Sequence, residues 1–184
     1  MKIVVFDTET TGLPDSNLDE LHWDQPWVIQ LGAVVLEDWD IVERLNTIIR
    51  VPDMVLFQPE AVSLHGISPE VCLNQGKPIE QVLDTFAHMC KGADIISTYN
   101  FMFDSRIMRT CNTRLGRTKP LWSPDTYEHC IMLQAQDYFM ERCTLKQCYR
   151  RFFKKPLQDA HDAFADTIAA TEIFRLMTSE LTMT

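Results

Sequence analysis

No CxxC pair occurs among the six cysteines of this sequence (Cys72, Cys90, Cys111, Cys130, Cys143 and Cys148), and no spacing matches a metal finger. That argues against a zinc site. The cysteines read instead as reduced packing residues, most of them in segments of helical pattern. No apolar run approaches the roughly 20 residues that span a bilayer. No basic-then-apolar leader opens the chain either, so a cytoplasmic protein without a membrane role is expected. Internal repeats and low-complexity linkers are also missing. The 184 residues are therefore expected to form one domain, 1–184, long enough to bury both faces of a sheet. Positive charge is scarce as well, with 17 Lys+Arg against 26 Asp+Glu and a net charge of −9. Taken alone, that balance argues against a polyanionic partner. Its distribution does not. Arg106 to Lys155 holds 11 basic and 4 acidic residues, a local net of +7, which leaves −16 on the remainder. Such asymmetry fits one surface that meets a polyanion.

What is present alternates between two periods. Lys2 to Glu9 reads as a central strand, apolar on both faces until its acids. The stretch from Leu13 to Pro26 is polar and turn-rich, a long loop. Trp27 to Asp38 and Glu43 to Val51 read as a hairpin that extends the sheet. Ser68 is a good helix cap with Pro69 at the first helical position. Helical spacing follows from Pro78 to Lys91. Ala93 to Tyr99 is the next strand, and it leads into a helix from about Phe101 to Leu115, stopped by Gly116. A short strand is expected near Leu121 to Asp125. Helices are expected at Tyr127 to Tyr138, at Leu145 to Phe153, and from Asp162 towards Leu181. This order predicts an α/β fold with a central mixed sheet of about five strands flanked by helices.

The sequence places acids where that fold would bury them. Asp7 and Glu9 stand two apart on the first strand, so both side chains point to one face. Like charges held that close raise each other's proton affinity unless a cation lies between them. Asn100 suits a helix N-cap, and Asp104 follows it in the first helical turn, where a carboxylate also suits the helix dipole. In HDAFAD (His161 to Asp166), Asp162 can cap the last helix. Asp166 then shares a face with Ala163, Ala170, Ile173 and Met177, which points it inward. A buried carboxylate without a partner costs several kcal/mol, roughly, so it too asks for a cation. Four carboxylates from a strand and two helix starts suffice for two divalent ions about 3.5–4 Å apart.

The three segments FDTETTG (Phe6 to Gly12), NFMFD (Asn100 to Asp104) and HDAFAD, in this order, resemble the DEDDh branch of the DnaQ-like exonucleases, which have a ribonuclease H-like fold. The resemblance covers nearly the whole chain. It implies a two-metal-ion 3′–5′ exonuclease that releases nucleoside 5′-monophosphates. Asp7, Glu9, Asp104 and Asp166 would bind two Mg²⁺ or Mn²⁺ ions, and His161 would be the general base. His65, Gly66 and Ile67 resemble the family's HGI element beside the terminal nucleotide. Gly12 and Leu13 occupy the turn that touches the terminal base. Thr8, Thr10, Asn100 and Phe103, within the matched motifs, are implied substrate contacts. The family often carries His where this chain has Tyr99, a departure at a supporting position.

The implied partner is the 3′ end of a single-stranded nucleic acid, with DNA favoured over RNA. Alternatives are a proofreading subunit of a DNA polymerase with a replication or repair partner, an RNA-trimming exoribonuclease, and a non-catalytic binding module. The last of these would have no need of four acids and a histidine. A helix that ends a few residues before Thr184 favours a freestanding enzyme. From this sequence rather than the family comes RRFFKK, Arg150 to Lys155, a few residues before His161. Arg150 and Arg151, with Lys146, Lys154 and Lys155, are expected near upstream phosphates. Trp23 and Trp27 are candidate base-stacking residues, with Trp27 better read as packing in the sheet.

Overall fold

The computed structural model describes residues 1–181; the last three positions of the expected 1–184 unit lie outside the described residues. Six strands form one sheet. They are β1 (Lys2–Thr10), β2 (Val28–Glu37), β3 (Asp40–Arg50), β4 (Lys77–Pro78), β5 (Ile95–Thr98) and β6 (Tyr127–Cys130), in the order β4-β3-β2-β1-β5-β6. β1 pairs antiparallel with β2 and parallel with β5, so the sheet is mixed as expected. The helices are α1 (Pro59–His65), α2 (Pro69–Gln75), α3 (Ile79–Cys90), α4 (Phe101–Arg114), α5 (Ile131–Phe139), α6 (Leu145–Phe153) and α7 (Ala163–Leu181). Among the described residues no helix is long and apolar enough to cross a membrane.

β1 sits at the centre because Ile3, Val4, Val5 and Phe6 are apolar on both faces, and all four are wholly buried. One face packs Val4 and Phe6 with Phe86 of α3 and Met108 of α4. The other packs Ile3 and Val5 with Ala170 and Ile173 of α7. The five cysteines Cys72, Cys90, Cys111, Cys143 and Cys148 are buried, and all six are free thiols.

Three local expectations are corrected. The strand expected at Leu121 to Asp125 lies instead at Tyr127–Cys130. Leu121 and Trp122 are buried in the core. Pro124 has no N–H to donate, and the chain turns there with Thr126 N donating to Ser123 O (3.1 Å). The helix expected from Tyr127 therefore starts only at Ile131. Asn100 occupies the N-cap position of α4, but its side chain makes no cap hydrogen bond. Its ψ of 78° is far from the extended backbone from which a cap side chain reaches the first turn. Ser68 and Asp162 do cap: Val71 N donates to Ser68 Oγ (3.3 Å), and Phe164 N and Ala165 N to Asp162 Oδ1 (3.1 and 2.9 Å).

Two residues inside β2 set how α7 lies on the sheet. A Cβ at Gly32 would fall 2.3 Å from the Ala163 carbonyl oxygen, so only glycine lets the helix start approach this closely. Thr167 Oγ1 donates to Gly32 O (3.0 Å) across the same contact. Gln30, almost fully buried, donates to Asp162 Oδ2 (2.7 Å) and accepts from Ala163 N (3.1 Å). These contacts fix the first turn of α7, and with it Asp166, over the end of β1.

Candidate metal centre

β1, α4 and α7 deliver four carboxylates to one end of the sheet. Asp7 and Glu9 lie on one face of β1, and Asp104 stands in the first turn of α4. Asp104 is held firmly: Thr8 N and Thr8 Oγ1 both donate to its Oδ1 (3.1 and 2.8 Å), and Thr98 Oγ1 donates to its Oδ2 (3.0 Å). Asp166 is buried; its Oδ2 accepts from His161 N (3.2 Å), while its Oδ1 is buried without a partner. Ligand atoms of Glu9, His161 and Asp166 all lie within 4.8 Å of one another.

These groups share one electrostatic field. Burial first, then Asp104, Asp166 and Glu9, raises the Asp7 carboxyl well above the usual carboxylate range. Burial, then Asp166 and Asp104, pushes Glu9 up to about 8. Burial lifts Asp104 to about 6 against the lowering effect of its three hydrogen bonds to Thr8 and Thr98. Burial raises Asp166 also, offset in part by the His161 N–H. The donor set is hard oxygen with one imidazole, in a partly buried cluster with an orphaned carboxylate oxygen. Divalent cations fit it.

A prediction follows for the metal-free protein. The folded values of Glu9 and Asp104 exceed their unfolded ones, so each contributes stability that is complete below the unfolded value. That stability is lost as pH rises through about 6 and then about 8. In EDTA the melting temperature is expected to fall from about pH 5 to about pH 8, and saturating Mg²⁺ should remove most of the fall. Glu9→Gln should flatten the EDTA profile. An equal slope in that variant would mean the acids do not share a field.

His161 has φ +74°, in the left-handed region that side chains other than glycine enter at a cost. Its backbone N–H on Asp166 and the Asp162 N–H on Asp159 O (3.1 Å) hold the turn in place. His65 lies near enough to His161 to feel its charge, yet both its ring nitrogens are occupied. Nδ1 accepts from Ile67 N (3.0 Å), which leaves Nε2 to donate to Thr10 O (3.1 Å).

The other sequence-predicted residues divide by exposure. Thr8, Thr10 and Ile67 are buried; Thr8 braces Asp104, and Thr10 Oγ1 donates to Gly12 O (2.7 Å). Leu13 is 69% exposed, and Phe103 packs on the core edge. Arg150 is exposed, whereas Arg151 donates to Glu141 Oε2 (2.7 Å) and lies over the Phe139 ring. Trp27 is wholly buried; Trp23 is 42% exposed.

Sequence reasoning missed Gln58, Thr98, Gln30 and Gly32. Gln58 clasps the turn after β1, its Oε1 accepting from Leu13 N (3.0 Å) and its Nε2 donating to Leu13 O (3.2 Å). Nothing in the sequence marks Gln58. Gln30 and Gly32 did carry a signal, as the two residues that interrupt the apolar run of β2.

A model of the exonuclease family RNase_T matches residues 4–174. A PolC-type DNA polymerase III of Caldanaerobacter subterraneus is 30% identical over 182 residues, 98% of this chain and 12% of that protein. The epsilon subunit of Escherichia coli DNA polymerase III is 33% identical over 106 residues, 57% of this chain and 41% of the subunit. The chain thus spans less than half the length of these relatives. Among solved structures, E. coli exonuclease I in complex with a dT13 oligonucleotide shares the fold. The TM-score is 0.79 at 18% identity, covering 97% of this chain and 41% of that one. The nuclease domain of 3′hExo bound to rAMP gives 0.73 at 14% identity, covering 97% and 92%.

Proposed function

The chain belongs to the RNase_T exonuclease family, and from that premise we propose that residues 1–184 form one metal-dependent 3′–5′ exonuclease unit that releases nucleoside 5′-monophosphates. The observation that carries the proposal is the Asp166 carboxylate, buried with one oxygen unpaired beside Glu9 and His161. A purely structural site has no need of four acids with raised proton affinity, one of them with an orphaned oxygen.

Asp7, Glu9, Asp104 and Asp166 would hold two divalent cations, Mg²⁺ or Mn²⁺, which supply positive charge against the scissile phosphate and the leaving 3′ oxygen. The chain's own residues do the rest. Thr8 and Thr98 fix Asp104, so its charge needs no reorganisation during the reaction. His161 takes the proton of the attacking water as the P–O3′ bond breaks, a contribution of roughly 10²–10⁴-fold for a placed base. Gln58 presents Leu13 to the terminal base, and Gly12 leaves room for the Gln58 side chain: a Cβ there would meet its Cδ at 2.2 Å. His65 braces the end of β1 through Thr10 and bonds Ile67 N, and so would order a wall for the terminal nucleotide, with Ile67, Asn100 and Phe103 as its further contacts. Arg150, exposed on α6, and Arg151, which also bonds Glu141, would meet upstream phosphates.

DNA is favoured as the substrate because the relatives are DNA polymerase III components and the exonuclease I structure holds oligo-dT. The rAMP of 3′hExo makes RNA the necessary comparison. End-labelled single- and double-stranded DNA and RNA oligomers, incubated with Mg²⁺ or Mn²⁺, should shorten one nucleotide at a time from the 3′ end. Products from the 5′ end, internal cuts, or no cleavage of any of them would refute the reading. A second reading, a proofreading exonuclease within a polymerase assembly, is favoured by those same relatives; preferential removal of a mismatched 3′ nucleotide from duplex DNA would support it. The six free thiols suit a reducing, cytoplasmic setting.

A further inference from the structure

A fifth carboxylate stands beside the four acids of the metal centre. Asp162 follows His161 and caps α7, and its Oδ1 accepts from Phe164 N and Ala165 N (3.1 and 2.9 Å). Its Oδ2 accepts from Gln30 Nε2 (2.7 Å), and its own N–H donates to Asp159 O (3.1 Å). Both carboxylate oxygens are thus engaged within the fold. Among the described residues, the ligand atoms that converge on one point are those of Glu9, His161 and Asp166, and Asp162 is not among them.

Gln30 fixes how near that charge stands. The β1–β2 register sets Gln30 directly opposite Glu9, and opposed residues of an antiparallel pair project from the same face. The Gln30 side chain therefore leaves the sheet beside Glu9 and ends at the start of α7. There its Oε1 accepts from Ala163 N (3.1 Å); a backbone N–H can only donate, so the amide nitrogen is the end that meets Asp162. Gly32, two residues on, lets the Ala163 carbonyl lie against β2, which holds the helix start close. One side chain thus separates Asp162 from Glu9, and the adjoining residue, His161, bonds Asp166 through its N–H (3.2 Å). The charge is felt at the centre. After burial and the nearer acids, it adds to what raises Asp7 and Glu9, and after burial it does the same at Asp166, against His161.

A helix cap does not require this charge, since Asn and Ser cap about as well as Asp. In the metal-free protein a fifth negative charge adds repulsion, which the α7 dipole offsets in part. With a divalent cation in place the sign reverses. A unit charge about 8 Å from such an ion, screened as in water, changes its binding by roughly fivefold. We propose that Asp162, clamped by Gln30, is a positioning residue of the metal centre: a fixed outer charge that raises its affinity for divalent cations without becoming a ligand. That role deepens the reading of Asp7, Glu9, Asp104 and Asp166 as metal ligands and rests on it.

The test measures Mn²⁺ binding by calorimetry, without substrate, on the full chain. Asp162→Asn keeps a cap and removes the charge, and should weaken binding by roughly fivefold. Asp162→Ser also keeps a cap and should weaken it by the same factor. It carries the test if asparagine, which sets a second donor against the Gln30 amide, disturbs the turn. The double variant Gln30→Glu with Asp162→Asn places an acceptor at position 30 opposite the new amide donor. Hydrogen bonds and negative charge both return, so binding should recover to within about twofold of the wild type. The Mg²⁺ concentration for half-maximal cleavage of an oligothymidylate should shift by the same factors. Equal Mn²⁺ dissociation constants in the wild type and either single variant would overturn the role of Asp162. So would a double variant as weak as Asp162→Asn, because shape and not charge would then explain the loss. Wild-type protein that takes up no Mn²⁺ refutes the metal centre itself. Uptake without cleavage of any oligomer in Mg²⁺ refutes the exonuclease reading, and the binding ratios still decide Asp162.

Discussion

Asp7→Asn and Asp166→Asn are each expected to lower turnover by about 10³-fold or more while the protein stays folded. Asparagine keeps the shape of the side chain and removes the charge. At Asp7 that charge sits among three other acids, which is why burial and Asp104, Asp166 and Glu9 all raise its proton affinity. On the proposed reading its removal would take away one of the carboxylates that hold a cation, a loss felt most where charge develops on the phosphate and the leaving oxygen. The same repulsion gives the prediction a second readout of opposite sign. Without metal, Asp7→Asn relieves a destabilising field, so its melting temperature in EDTA should exceed the wild type's by a few degrees, roughly. In saturating Mg²⁺ the order should reverse, because the wild type gains binding energy that the variant cannot. Initial rates on labelled oligomers and paired melts with and without metal decide it. Full activity in either variant, or wild-type activity that survives excess EDTA, would remove the acids from the mechanism.

How much of this centre could be read from the sequence depends on the range of the interaction concerned. The two acids of β1 follow from the two-residue repeat of a strand, and the inward aim of Asp166 from the 3–4 spacing of α7; both are local rules, and both hold. α6 also keeps its expected bounds, and the structure shows a capping box of Thr144 and Gln147 at its start. The strand displaced from Leu121 to Tyr127 shows the limit: apolar Leu121 and Trp122 were wanted by the core, and a strand pattern cannot be told from a core plug by composition. Contacts distant in sequence were out of reach. Gln30 meets Asp162 across 132 positions, and Thr8 meets Asp104 across 96. The motif that contains Thr8 implies a substrate contact for it, and the fold gives it a further task. Its side chain points to the opposite face from those of Asp7 and Glu9 and is buried, where it holds the third acid. The charge imbalance was visible as a sum over fifty residues, but which cations remain free is a property of the fold alone.

His161→Ala is expected to cut kcat by roughly 10²–10⁴-fold with little change in KM, since the proton moves only on the way to the transition state. The neighbouring imidazole cannot stand in. His65 uses one ring nitrogen on Ile67 N and the other on Thr10 O, and protonation would break the first of these contacts. If His161 takes the proton, a limb of the wild-type pH–rate profile should be missing from the variant. Cation binding depends on pH as well, because Glu9, at about 8 without metal, must give up its proton to act as a ligand. The comparison is therefore made at saturating metal, between variant and wild type, and not on one apparent pKa. Backbone geometry supplies a control for the alternative that His161 merely shapes the turn. At φ +74° alanine is as strained as histidine, while glycine is at ease. If the residue's work were conformational, His161→Gly would exceed His161→Ala in activity without any added base. If its work is proton transfer, the two should be equally slow, and exogenous imidazole should restore part of the rate to the glycine variant, which has the larger void. An alanine variant with the wild-type pH limb would assign the base elsewhere in the site.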